Sequence, residues 1–141
     1  MATRSRIGIE LSNGDVLSVY HHWDGYPQWL GKTLCEHYNT TEKVSELIDG
    51  GDMSLCWTED RWDGKKATNH GPQYYSGRGD NCPPRLDPHL GAYADKLRGE
   101  EYHYVYKKVP NELKILGEYT WVCIDMNEFN DNDPQVVSIP S

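Results

Sequence analysis

The chain predicts a single α+β domain in which a mainly antiparallel sheet, built from an N-terminal β-hairpin and a C-terminal three-strand meander, packs on two to three helices. Three observations predict it: period-two alternation at both ends, helical spacing in the middle, and a length of 141 residues, which leaves room for one core. The aromatic content is lopsided, with ten Tyr and five Trp against one Phe. Leu, Ile, Val and Phe together number only 26, a level that with a net charge of -8 borders on disorder. The Tyr and Trp rings must therefore supply much of the apolar area.

Residues 5–11 alternate with Ile7, Ile9 and Leu11 on one face, Asn13-Gly14 supplies the turn, and 16–22 is the returning strand. A two-residue turn would pair Ile9 with Ser18 and Ile7 with Tyr20. A three-residue loop with Gly14 in the left-handed region pairs Ile9 with Leu17 and Ile7 with Val19; it buries an aliphatic face and is preferred. The opposite face then gathers Arg4, Arg6, Gly8 and Glu10 against Val16, Ser18, Tyr20 and His22, and is polar, aromatic and cationic.

After Trp23-Asp24-Gly25-Tyr26-Pro27, residues 28–38 read as a helix with Leu30, Leu34, His37 and Tyr38 on one side. A second helix is capped by Asn39 or Thr40, carries Glu42 at the acidic position of a capping box, buries Val44, Leu47 and Ile48, and stops at Gly50-Gly51. Residues 58–87, rich in Gly, Pro, Asp and Asn, form a long irregular loop that carries Trp62, Tyr74 and Tyr75. The third helix has Asp87 as N-cap, Pro88 at its first position, Leu90, Tyr93, Ala94 and Leu97 at helical spacing, and Gly99 as its stop. Tyr102, Tyr104 and Tyr106 alternate with His103, Val105 and Lys107 before a turn at Pro110-Asn111, and 113–116 and 119–125 complete the meander. Residues 1–125 thus make the domain, and 126–141 are an acidic tail or an edge strand through Val136, Val137 and Ile139.

Composition excludes several activities. No apolar run is long enough for a membrane helix and the N-terminus lacks a signal-peptide core, so a soluble intracellular protein with no membrane partner is expected. Cys35, Cys56, Cys82 and Cys123 have no C-x-x-C spacing, so free thiols and no metal are expected. An acidic balance of 22 Asp and Glu against 14 Lys and Arg argues against duplex nucleic acid as a partner. No P-loop, dinucleotide glycine fingerprint, G-x-S-x-G or H-E-x-x-H occurs, and no cofactor is expected.

The densest chemical cluster runs from Tyr20 to Pro27. His21 and His22 point to opposite strand faces, so at most one joins Asp24, which is too few ligands for a metal. His22 with Asp24 is the candidate dyad if the protein is an enzyme, although no nucleophile accompanies it. The same residues also read as a plain turn, with Asp24-Gly25 at the bend and Trp23, Tyr26 and Pro27 covering the sheet edge. Ser76-Gly77-Arg78-Gly79-Asp80 with Arg85 could cradle a phosphate or be a solvated loop, and no helix follows the glycines as an anion site prefers.

At Arg4-Ser5-Arg6-Ile7-Gly8-Ile9-Glu10, Tyr20 through Pro27, Gly31-Lys32-Thr33-Leu34, Glu36-His37-Tyr38 and Gly51-Asp52-Met53-Ser54-Leu55, the chain resembles a family of small proteins of tailed phages and prophages. These share an "RS-x-I-x-I-E … Y-x-HWDGY … G-x-x-L-x-EHY … GD-x-S-x-L" pattern. The resemblance covers roughly the first 55 residues, is looser around Arg98-Gly99-Glu100, and leaves the 58–87 loop peculiar to this chain. It implies an accessory viral protein in the cytoplasm of a bacterial host, in the manner of small counter-defence binders, and brings no catalytic or ligand residues with it.

The first expectation for function is a non-enzymatic binder that sequesters a small anionic, nucleotide-type signal on Arg4, Arg6, Tyr20, His22, Trp23, Asp24 and Tyr26, with Arg78, Arg85, Tyr74 and Tyr75 as secondary candidates. The alternative is an inhibitor that occupies a host enzyme or defence complex through its Tyr/Trp-rich surface. A small hydrolase using His22 and Asp24 is the third reading. A homo-oligomer would suit a binder whose site lies at a subunit boundary.

Overall fold

The computed structural model describes residues 3–57, 72–78, 82–93, 100–111, 114–130 and 133–137. Strands β1 (Ser5–Glu10) and β2 (Val16–His21) form the hairpin, followed by a π-helical turn (Pro27–Gly31), α1 (Lys32–His37) and α2 (Thr41–Asp49). Then come β3 (Met53–Leu55), β4 (Gln73–Tyr74), β5 (Arg85–Asp87), a single helical turn (Leu90–Tyr93), β6 (Tyr102–Asn111), β7 (Lys114–Asn130) and β8 (Asp133–Val137). The strands make one sheet in the order β4-β3-β2-β1-β6-β7-β8, with β5 added beside β2.

The hairpin takes the three-residue register: Ile7 faces Val19, Ile9 faces Leu17, and Gly14 adopts φ 92°. The α+β class holds, but the sheet is mixed rather than mainly antiparallel. Hairpin and meander meet through their first strands, and β1 runs parallel to β6 because the chain crosses over between them; β2 and β3 are also parallel. In the meander β7 continues through the expected break near Gly117, and Asp133–Val137 pairs back on Cys123–Asp125. Within the expected irregular stretch 58–87, two short strands form: β4 pairs with β3, and β5 pairs with Val16–Ser18 of β2. Residues 58–71 and 79–81, including Trp62, lie outside the described residues.

Two helices cover one face of the sheet. α2 is capped by Thr40, whose hydroxyl accepts from the Lys43 amide at 3.2 Å, and it buries Val44, Leu47 and Ile48. The expected third helix is only the turn Leu90–Tyr93 among the described residues, with Ala94 and Leu97 beyond them. Its cap is not Asp87, which ends β5; the His89 Nδ1 accepts from the Ala92 amide at 3.1 Å instead.

The main core lies between the helices and the sheet face bearing Ile7, Ile9, Val19, Tyr104, Tyr106, Trp121 and Cys123. Its rings carry polar tips, and each tip finds a backbone carbonyl. Tyr104 donates to Gly25 (2.7 Å), Tyr106 to Asn39 (3.1 Å), Tyr38 to Cys56 (2.8 Å), Tyr74 to Leu47 (2.7 Å), and the Trp121 indole to Tyr38 (2.8 Å). Several of these acceptors lie in the connections around the helices, where carbonyls lack partners of their own. A Phe core could fill the space but not bind those carbonyls. This gives a structural reason for five of the fifteen Tyr and Trp to stand where Phe could not serve. His21 also belongs to the core: its Nε2 accepts from the Cys56 amide at 3.1 Å, and burial lowers its pKa to about 3, so it is a neutral structural group. All four cysteines are free.

Candidate functional site

The opposite face of the hairpin was expected to be polar, aromatic and cationic and to hold the ligand, and it is accessible only at one end. Gly8 has no side chain, so the Tyr93 ring lies against β1; a Cβ there would sit 3.1 Å from that ring. Tyr93, Val16 and Val105 form a second, smaller core in which the Tyr93 hydroxyl donates to the Tyr104 carbonyl. Arg6 lies beneath this cover at 6% exposure. Its Nε donates to Ser18 Oγ (3.0 Å), its Nη2 to the Ser18 carbonyl (3.1 Å), and Nη1 is 3.7 Å from Glu100. Burial lowers the Arg6 pKa, but a guanidinium stays charged in this setting. Arg85 pairs with Asp87 at 2.9 Å. Two buried atoms of this group, Arg85 Nη2 and Glu100 Oε2, have no hydrogen-bond partner.

Beyond the cover, the strand end and the following turn carry the remaining candidates. The Tyr20 hydroxyl and His22 Nδ1 are 2.8 Å apart, and the His22 ring meets Trp23 edge-on with centroids at 4.6 Å. Trp23 is 48% exposed, Tyr26 is 36% exposed, and Arg4 and Asp24 are exposed as well. Burial raises the Tyr20 pKa, and the charge of Arg4 acts against that rise, which places this guanidinium in the field of the phenol. The Tyr20 amide is held by Asp52 Oδ1 at 2.8 Å.

The turn is held from several sides. The amides of His22 and Trp23 donate to Met53 (3.2 Å) and Ser54 (2.9 Å), extending the parallel pairing with β3. Gly25 donates to the Thr3 carbonyl at 2.9 Å and accepts from Tyr104, and a Cβ on it would collide with Ser5 and Thr3. Between these anchors Asp24 takes φ 53°, a left-handed conformation that costs energy for a side chain larger than glycine. The Tyr26 carbonyl then accepts from Trp29 and Leu30 as the π-helical turn begins at Pro27.

The structure therefore brings together Tyr20, His22 and Trp23, leaves Arg4 exposed in the field of the Tyr20 phenol, sets Asp24 and Tyr26 on the same fixed turn, and puts Arg6 under cover. His22 takes Tyr20, not Asp24, as its hydrogen-bond partner. Of the secondary candidates, Tyr75 acts on the Tyr20 phenol, while Arg85 is engaged by Asp87. Tyr74 lies across from Met53 and hydrogen-bonds Leu47 on the helix side. The side chain of Arg78 lies outside the described residues. Asp52 and Glu100 were not anticipated, since their partners are distant in sequence and no local motif marks them. Among the described residues, no group of three or more His, Cys, Asp or Glu side chains could hold a metal ion, and no helix is long and apolar enough to cross a membrane. No known family model, curated protein or solved structure matches the chain.

Proposed function

We propose that the chain is a non-enzymatic binding protein that holds a small anionic, nucleotide-type ligand at the Trp23 turn, as a phage accessory protein acting in the cytoplasm of a bacterial host. One observation carries this reading: an exposed indole, fixed by a clamped and strained turn, continues a row of Tyr20 and His22 beside the exposed Arg4. A rigid aromatic surface supplies stacking at low entropic cost, and a neighbouring guanidinium supplies charge-assisted hydrogen bonds to phosphate. The engagement of His22 with Tyr20 rather than Asp24 weighs against the hydrolase reading.

Calorimetric and thermal-shift titration with mono-, di- and cyclic nucleotides tests the proposal. A true ligand at about 100 times its Kd stabilises the fold by about 2.7 kcal/mol. Trp23→Ala and Arg4→Ala abolish the response while changing the unliganded stability by about 0.5 kcal/mol at most. Silence across every phosphate-bearing compound rejects the proposal. The exposed Trp23 and Tyr26 on one fixed turn also favour a second reading, an anchor for a host protein. A stoichiometric host partner lost on Trp23→Ala, with no nucleotide response, selects that reading.

A further inference from the structure

A cavity of about 350 Å³ opens on the helix side of the sheet, between α2 and β4, away from the Trp23 turn. This volume is within the range of small-molecule sites. Its walls are apolar: the rings of Tyr38 and Tyr74, with Leu47 and Pro72. Both phenols donate their hydrogen bonds to the carbonyls of Cys56 and Leu47, so neither hydroxyl proton is left for a ligand. Gly50 makes the arrangement possible, since a Cβ on it would overlap the Tyr74 ring.

Two charged residues stand at the rim, Lys43 and Glu46, one turn apart on α2. Such a pair commonly closes on itself. Here neither side chain makes an ion pair among the described residues, so the Glu46 carboxylate is available. Burial pushes the Tyr74 pKa up to about 12, and the charged groups that add to this are Glu46 and Asp49, both acids. Glu46 acts on Tyr38 in the same sense. Glu46 thus acts on both phenols, while Lys43, the other charged residue of the lining, is an exposed cation on the turn before it.

We infer that this cavity is a second binding site, for a small organic cation with an apolar body, such as an alkylated ammonium, held by the Tyr38 and Tyr74 rings and by Glu46. Aromatic walls joined by one carboxylate attract an ammonium through the ring quadrupole and the charge together. Lys43 opposes the same ligand, which fixes the sign of a two-variant test.

Choline titrated into the full chain, followed by amide NMR, is the experiment. Choline shifts the amides of Leu47, Gly50 and Tyr74, and the neutral carbon isostere of choline binds at least about threefold more weakly. Glu46→Gln weakens choline about two- to fivefold, and Lys43→Ala tightens it by a similar factor. Tyr74→Phe, which keeps the ring, retains binding; Tyr74→Leu loses it, with melting curves checking that each variant folds. The inference is overturned if the neutral isostere binds as well as choline, if toluenesulfonate binds better, if the two charge variants shift affinity in the reverse sense, or if high choline leaves these amides unmoved.

Discussion

The two faces of the sheet satisfy their buried polar groups to different degrees. On the helix-covered face, five ring donors each reach a backbone carbonyl, at distances from 2.7 to 3.1 Å. On the other face Arg6 donates to Ser18 at 3.0 and 3.1 Å and Arg85 pairs with Asp87 at 2.9 Å, but Arg6 and Glu100 approach only to 3.7 Å, and Arg85 Nη2 and Glu100 Oε2 stay unpartnered. A satisfied network rigidifies, whereas a partly satisfied one contributes little net stability. The comparison teaches that the stability of this small domain resides mainly on the helix side. The turn presenting Trp23 is tied to that side by the bond from Tyr104 to Gly25, in addition to its backbone bonds to Thr3, Met53 and Ser54.

The largest effect that could break this comparison is Tyr104→Ala, expected to cost about 3–5 kcal/mol in chemical denaturation, since it empties a fully buried ring site. Acid gives the next test. His21 has its pKa lowered from 6.5 to about 3 in the fold. Between those values the unfolded chain binds a proton that the native chain refuses. The contribution of neutral His21 is complete above pH 6.5 and is lost as pH falls towards 3, with a slope of at most about 1.4 kcal/mol per unit. Urea midpoints across that range, compared with His21→Gln, measure it.

Tyr104→Phe keeps the ring but strands the Gly25 carbonyl, and costs about 1–3 kcal/mol. Glu100→Gln, on the loosely bonded face, costs about 1 kcal/mol or less, well under the 3–5 typical when a tight buried pair is broken. A loss as large as that of Tyr104→Phe would erase the distinction between the faces. Trp23→Ala, exposed and outside both cores, changes stability by about 0.5 kcal/mol at most.

What the sequence made legible was local. Asn13-Gly14 with alternating neighbours was enough to choose the hairpin register, and Thr40 with the Val44, Leu47, Ile48 stripe was enough to place α2. The parallel meeting of β1 and β6 leaves no such trace, because it joins segments far apart along the chain. For the same reason Arg6 reads in the sequence as one of the ligand-binding residues, although it is buried. Alternation puts Arg6 beside Tyr20 but says nothing of Tyr93 and Glu100, which return from late in the chain to cover it. Asp87 and Pro88 carried a strong helix-start signal, yet Asp87 was taken by strand pairing with Val16, and the helical turn began later. Of the candidate site, the contiguous Tyr20–Tyr26 segment was readable; the carbonyls of Thr3, Met53 and Ser54 that hold it were not.

The central claim is that the Trp23 turn is a preformed site for an anionic ligand. Amide and indole NMR shifts, followed during titration with a nucleotide selected by thermal shift, test it most directly. The account predicts that perturbations concentrate at Arg4, Tyr20, His22 and the Trp23 indole while the amides of β6 and β7 stay in place. Perturbations centred elsewhere, or spread across both faces of the sheet as the fold rearranges, would contradict it.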